Sequence, residues 1–407
     1  MARYVGPLED HIIMSSTKKR PGRSSKGEGS SKKPKQGERQ EAEPELYSTI
    51  PPQPEANKPG QLTKKQLKFY FEEGYLVLRD FFQPADLEPV RAGIAEGVDT
   101  LVNKLYEAGK IKDKCSDADL FHRITLIDKQ FPGAAVLLHK LGYLPQSFCD
   151  LWTNERLLNV IEQLIGPDIA GHPVWNLRVK TPRHEQSTVP WHQDNAYLDP
   201  EALHVLQPTA WIPLLDVNQN NGCMQVIPRG HLRGVTATHT CCVGGTWYVQ
   251  VKDDEEMKTS LGIDVKDAVT MEMKYGSVLL MNNAIPHRSL DNMSDEVRWS
   301  VDLRWQRPDK PNGFYGIKDS VLMRSSTDPN HVVDFESFDK VDRHVKAKDS
   351  TLDIPEVDDD QTTDDEFDTT IMGPWMKRWD LVHHNKHTAK FVKQKSEATR
   401  KSKWDKA

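Results

Sequence analysis

Residues 189–197 read Val-Pro-Trp-His-Gln-Asp-Asn-Ala-Tyr, and at their centre His192 and Asp194 stand two positions apart. On an extended backbone such residues leave from the same side, so one imidazole and one carboxylate converge. The pair is two thirds of a two-histidine, one-carboxylate face, the arrangement that holds non-haem Fe(II) and leaves three coordination positions open. A His-x-Asp triplet also arises by chance, so its meaning depends on a third donor elsewhere.

That donor has to be a histidine far along the chain, returned to Asp194 by a sheet. His287 qualifies, because it follows the strand-like run Ser277–Met281 in the segment Asn283-Ala284-Ile285-Pro286-His287. A further strand then runs from Arg298 to Gln306, in which Arg298, Ser300, Asp302 and Arg304 alternate with Trp299, Val301, Leu303 and Trp305. The polar four share one face, which is expected to line a barrel interior. Arginines directed inward are costly unless an anion meets them, and a guanidinium offers the planar fork that suits a carboxylate. The bland alternative is that Asp302 neutralises one of them.

Short apolar-and-polar alternations also occur at Trp175–Val179, Ala210–Leu215, Gly222–Ile227 and Val269–Met273, separated by turn signals such as Asn220-Asn221-Gly222 and Pro228-Arg229-Gly230. They indicate a mainly β core built as a double-stranded β-helix, a cupin-like jelly roll, over residues 167–310. Residues 61–166 read as a helical buttress, making the whole α+β. Thr63 and Gln66 form a capping box ahead of a helix that Gly74 ends, Tyr75–Leu78 is strand-like, and Pro84 opens a helix with Leu87, Val90, Ile94, Val98, Leu101 and Leu105 on one stripe. More helix is expected around Ala134–Leu141 and Glu155–Leu164.

With these motifs in place the sequence resembles the phytanoyl-CoA dioxygenase family of Fe(II)- and 2-oxoglutarate-dependent oxygenases. The resemblance runs in order through His192-Gln193-Asp194, Trp211-Ile212-Pro213-Leu214, Asn221-Gly222-Cys223-Met224, Ile227-Pro228-Arg229-Gly230-His231, His287-Arg288-Ser289, Asn292 and Arg298-Trp299-Ser300. It covers about Leu67 to Arg307. It implies that His192, Asp194 and His287 bind iron, that Arg298 clamps the distal carboxylate of 2-oxoglutarate with Ser300 in support, and that dioxygen is the third reactant. More loosely it implies Lys180 and Trp211 as walls of the co-substrate pocket, with Lys180 as a solvated strand-end lysine the alternative. His231 looks like a structural turn residue rather than a fourth ligand. A carboxylate at 194, a position that related halogenases leave empty for chloride, implies hydroxylation, with release of succinate and carbon dioxide.

The substrate stays open. A small or lipid-derived molecule, with an anionic one included, is the leading expectation; Trp191, Tyr197, Trp247, Tyr248 and Arg304 are candidate pocket residues, with Arg304 the candidate for an anionic group and packing the commoner role for such aromatics. The alternatives are an oxygenase acting on a nuclear protein or nucleic acid, and a non-catalytic cupin-like binding module.

Composition sets the outer limits. A net charge of -6 gives no overall attraction to nucleic acid or anionic membrane, and no apolar run approaches membrane-spanning length. A local exception is Ser15–Gln40, where nine basic residues face only Glu28 and Glu38. Residues 1–60 are therefore expected as a disordered basic tail and proline-marked linker, with nuclear targeting or weak nucleic-acid contact as its functional reading. Beyond residue 310 an extension to 392 carries an acidic run at Asp358–Glu366 and an aromatic segment with Trp375, Met376, Trp379 and Phe391 that should dock on the body; residues 393–407 are expected to fray. His383, His384 and His387 in that segment are read as hydrogen-bonded rather than metal-binding. The five cysteines include an adjacent pair, Cys241 and Cys242, expected not to bridge, and no Cys-x-x-Cys. A reduced, intracellular and cytoplasmic protein is the expectation, the nucleus remaining open.

Overall fold

A computed structural model describes residues 3–4, 40–41, 44–140, 142, 144–353 and 366–404. The Arg298–Gln306 strand is its axis. It pairs antiparallel with Thr209–Pro213 on one side and with Asn176–Lys180 and Ile169–Gly171 on the other. Val278–Met281 and then Tyr75–Leu78 continue the sheet beyond Thr209–Pro213, and Val321–Arg324 adds to its far edge. A smaller sheet places Met224–Val226 between Val269–Met271 and His287–Ser289. The two sheets face each other as the expected jelly roll.

Alternation along the axial strand sorts its residues between two environments. Trp299, Val301, Leu303 and Trp305 are wholly buried against the helices on the outer face. The helix Pro84–Glu107 contributes Leu87, Val90, Ile94, Val98 and Leu105 to the same core, and Glu155–Ile165 contributes Leu157, Val160, Ile161 and Leu164. The other face carries Arg298, Ser300, Asp302 and Arg304, buried as well but between the sheets. The capping box at Thr63 forms, and Gly74 closes that helix with φ 86°, a left-handed conformation that glycine adopts without penalty.

Four expectations need correction. Order does not wait for residue 61: Tyr47 is wholly buried and its hydroxyl donates to Leu203 O at 2.6 Å, while Lys58 pairs with Glu162 at 2.6 Å. A single aromatic anchor holds a stretch whose prolines suggested a linker. The chain end does not fray at 393, because a helix spans Ala389–Trp404 with Phe391 buried at its start. Cys241 and Cys242, expected not to bridge, are disulfide-bonded across a cis peptide with Cα atoms 3.1 Å apart. Cys115, Cys149 and Cys223 are free thiols. Finally, the extension does more than dock an aromatic segment: it adds Val321–Arg324 to the main sheet, and Asp380–Leu381 pairs in parallel with His239–Cys241. The acidic run at 358–366 and the basic run at 15–40 lie almost wholly outside the described residues. Among those residues no helix is long and apolar enough to cross a membrane.

A candidate non-haem metal centre between the sheets

His192 and His287 meet through their backbones before their side chains are considered. His192 N donates to His287 O at 3.0 Å and His287 N donates to His192 O at 2.9 Å, an antiparallel bridge that extends the small sheet. The imidazole centroids are consequently 4.2 Å apart. Each ring is oriented by its own chain, with Nδ1 of His192 on Pro190 O at 2.8 Å and Nδ1 of His287 on Ile285 O at 3.0 Å. With Nδ1 as the donor, Nε2 presents its lone pair, the form in which histidine binds metals. Burial and the neighbouring His192 push His287 down to about 4 against the pull of Asp194, so this ring is neutral at pH 7.

Asp194 completes the set. Its Oδ1 lies 3.6 Å from His192 Nε2 and 3.7 Å from His287 Nε2. Its Oδ2 accepts from Arg304 Nε at 3.1 Å, from Arg304 Nη2 at 2.9 Å and from Thr209 Oγ1 at 3.3 Å. Burial would raise the carboxyl, but the Arg304 guanidinium and the two imidazoles hold it well below the usual carboxylate range. Between its ligand neighbours, Gln193 points the other way, its Nε2 donating to Val235 O at 3.0 Å and Ala284 O at 2.7 Å. These three residues form one cluster whose donor atoms lie within 4.8 Å of one another, the only such group of His, Cys, Asp or Glu among the described residues. Two imidazoles and one carboxylate, oriented by partners of their own, fit a divalent iron with open positions.

A cavity of about 410 Å³ opens from this face between the sheets, bounded by Val189, Met224, Met281, Ser289, Trp211 and Arg298 among others. Arg298 is 3 % exposed, its Nη1 donates to Ser300 Oγ at 2.8 Å, and its Nε has no acceptor. Trp211 lies under it, with the guanidinium carbon 5.2 Å from the ring centre. Burial lowers Arg298 to about 10 in spite of Asp302, so it remains cationic at pH 7. An enclosed guanidinium with an open N–H at the end of a cavity that starts at a metal face fits the distal carboxylate of a keto acid.

Four sequence expectations come out differently. Lys180 lies opposite Arg298 in register but does not bound this cavity; its Nζ donates to Ser187 O at 2.7 Å and Thr188 Oγ1 at 3.1 Å, steadying the approach to Val189. Burial and Arg298 draw that amine well below its ordinary value. Arg304 does not await an anionic substrate, since Asp194 occupies it. Asp302 neutralises neither strand arginine; it accepts from Arg178 Nε at 2.7 Å across the strand pair. Trp191 packs away from the site beneath Arg288. His231 Nε2 donates to Phe71 O at 3.0 Å, and His387 Nδ1 accepts from Ile371 N at 2.9 Å, so neither joins a metal cluster.

On the other side of Asp194 lies a larger cavity, about 850 Å³ with its mouth included, that reaches Tyr197, Trp247 and Tyr248 as expected. Much of its remaining wall was not foreseen. His139 comes from a buttress helix, and Arg343, His344, Ile371, Met372 and Trp375 come from the extension. No spacing motif marks these residues, because they meet only when the extension folds back. The extension also backs the metal turn: Trp379 Nε1 donates to Ala196 O at 2.7 Å and Arg378 Nη1 to Asn195 O at 2.7 Å.

A buried two-histidine, one-carboxylate face between the sheets of a jelly roll, with a cationic cavity beside it, is the arrangement of non-haem iron oxygenases. The phytanoyl-CoA dioxygenase (PhyH) family matches residues 70–300, more than half the chain, and the chain belongs to that family of iron- and 2-oxoglutarate-dependent oxygenases. It is similar to a phytanoyl-CoA dioxygenase of Arabidopsis thaliana, 25% identical over 286 residues that cover 65% of this chain and 95% of the relative. It is also similar to a 1-deoxypentalenic acid 11-beta-hydroxylase of Streptomyces arenae, 28% identical over 189 residues, 41% of this chain and 60% of the relative. Among solved structures, the apo form of the non-heme monooxygenase ThoJ superposes with a TM-score of 0.48 at 17% identity, covering 70% of this chain and 99% of the other.

Proposed function

We propose that this enzyme hydroxylates a small or lipid-derived molecule, consuming 2-oxoglutarate and dioxygen and releasing succinate and carbon dioxide. The observation that carries the reading is the placement of the His192, Asp194 and His287 donors between two cavities of opposite character. One ends at the open guanidinium of Arg298, and the other is a larger chamber with aromatic walls. Iron(II), when held by the three donors, would supply with 2-oxoglutarate the electrons that reduce and activate dioxygen, so that one of its atoms enters a C–H bond while the other leaves in succinate.

The chain's own residues do the rest. Arg304 and Thr209 hold Asp194 by Oδ2 and leave Oδ1 toward the imidazoles. Arg298, with Ser300 beside it, takes the far carboxylate of the keto acid, and Trp211 lies against it. Met224, Met281 and Val189 line the rest of that cavity with apolar surface, which keeps water from competing for the site. A chamber of this size favours a small molecule over a folded protein or a duplex.

The experiment is oxygen-dependent conversion of 2-oxoglutarate to succinate by the full chain with added Fe(II), alongside untargeted profiling for substrates that gain one oxygen. Turnover should vanish in Asp194→Ala, which should also lose its stoichiometric iron. Persistent iron in that variant, or no succinate under any condition, would falsify the assignment.

A further inference from the structure

The larger chamber contains one charge that the protein leaves unmatched. Arg343 opens the helix Arg343–Leu352 and is 4 % exposed. Its Nη1 donates to Pro173 O at 3.0 Å and its guanidinium carbon lies 4.6 Å from the centre of the Trp175 ring. Its Nε and Nη2 have no acceptor. The two other arginines of the chamber each hold a carboxylate, Arg304 that of Asp194 and Arg178 that of Asp302. Arg343 has no ion pair among the described residues. The adjacent Asp342 is committed elsewhere, capping the helix through His344 N at 2.8 Å and Val345 N at 3.2 Å.

The two open donors are not scattered. Nε and Nη2 lie along one edge of the guanidinium and point in parallel, the edge that meets both oxygens of a carboxylate. Arg304 uses the same edge, Nε and Nη2, on Asp194. Position ties the two together. Arg343 is anchored on Pro173 O and Arg304 on the next carbonyl, Val174 O, at 3.1 Å. The two guanidiniums are therefore anchored one backbone step apart, one orienting Asp194 and the other with an edge unused. The walls that would receive the rest of such a molecule are apolar: Tyr197, Trp247, Met372 and Trp375.

We propose that the substrate is a carboxylic acid with an apolar body, and that Arg343, contributed by the extension, binds its carboxylate while the body reaches toward the metal face. This rests on the hydroxylase reading above and narrows it to a substrate class. A carboxylate matches the site because the open edge offers two parallel donors. His344, with Nε2 unpartnered and the ring buried beside Arg343, is a further polar group of that wall, with His139 6.2 Å from it ring to ring. Burial lowers Arg343 to about 9, still cationic at pH 7.

The test uses the full chain and a panel of monocarboxylic acids of roughly six to twenty carbons, linear, alicyclic and aromatic, each with its methyl ester and the phosphate monoester of the matching alcohol. Binding is read by quenching of tryptophan fluorescence without iron, and turnover by mass gain of one oxygen with Fe(II) and 2-oxoglutarate. At least one acid should bind and be oxidised, with its ester weaker by about 30-fold or more. Arg343→Met should lose a similar factor for the acid and none for the ester. Arg343→Lys, which keeps the charge without the fork, should fall between. Ligand-free Arg343→Met should melt above the wild type, since an unmatched buried charge is removed; a purely structural arginine predicts the reverse. Absence of acid binding, equal binding of acid and ester, unchanged acid affinity in Arg343→Met, or preference for the phosphate each overturns the proposal. Succinate formation by the wild type in the same samples judges the hydroxylase reading separately.

Discussion

Asp194 divides its two oxygens between two tasks. Oδ1 faces the imidazoles while Oδ2 is held by Arg304, so the arginine governs metal binding without touching the metal. Replacing Arg304 by Met leaves the donor set intact but lets the carboxylate rotate; a loss of about 10- to 100-fold in Fe(II) or Mn(II) affinity is expected in an anaerobic titration. Arg298 is proposed above to act on the co-substrate instead. Arg298→Met should raise the KM for 2-oxoglutarate by roughly 100-fold while metal affinity stays near that of the wild type. Equal loss of both quantities would show that the two arginines do not have separate tasks. His192, Asp194, His287 and Arg298 were legible in the sequence because each sits in a short motif whose residue types carry the chemistry. The partners of Arg304 and Asp302 were not, since alternation says which face a residue occupies but not which neighbour across the sheet will claim it.

At the scale of elements, the site depends on two segments being locked together. The backbone bridge of His192 and His287 fixes one side, and the glycine turn at Gly74 buttresses the other. A Cβ at Gly74 would stand 2.5 Å from His231 Nδ1 and 2.9 Å from Ile285 Cδ1, in a backbone conformation that already disfavours alanine. Ile285 O orients the His287 ring. Gly74→Ala is therefore expected to cost about 2–4 kcal/mol of stability, read as a lowered melting temperature, and to weaken metal binding as well. Trp379 supports the turn after Asp194 from behind. Trp379→Ala should cost about 3–5 kcal/mol, and rescue by metal in a melting experiment should be smaller than for the wild type. The strand Arg298–Gln306 could be read in advance to the residue because its two faces differ so sharply in polarity. The short strand Asp380–Leu381 could not: two residues give no period, and its partner lies about 140 positions away.

For the molecule as a whole, the boundaries drawn from composition are the part that failed. Proline and charge marked residues 44–60 as linker, whereas one tyrosine ties them to the core. Two deletions separate these views. Removing residues 1–39 should leave the melting temperature within about 2 °C of the full chain, while removing residues 1–60 takes Tyr47 and the Lys58–Glu162 pair with it and should lower it by about 5 °C or more. Similar losses for both would place the anchor elsewhere. Any trial of the basic tail as a targeting signal should accordingly stop before Pro44.

The two sides of Asp194 are built from different portions of the chain. The ligands and Arg298 fall within residues 70–300, the portion that the family model matches, whereas Arg304, Arg343, Met372 and Trp375 lie beyond it. On the hydroxylase reading proposed above, the first portion holds the reagent and the second helps to choose the recipient. Substitutions on the helix Arg343–Leu352 and around Ile371–Trp375 can retarget the enzyme without disturbing its oxidant, which makes that segment the place to engineer a new specificity and the wrong place to borrow one from a relative.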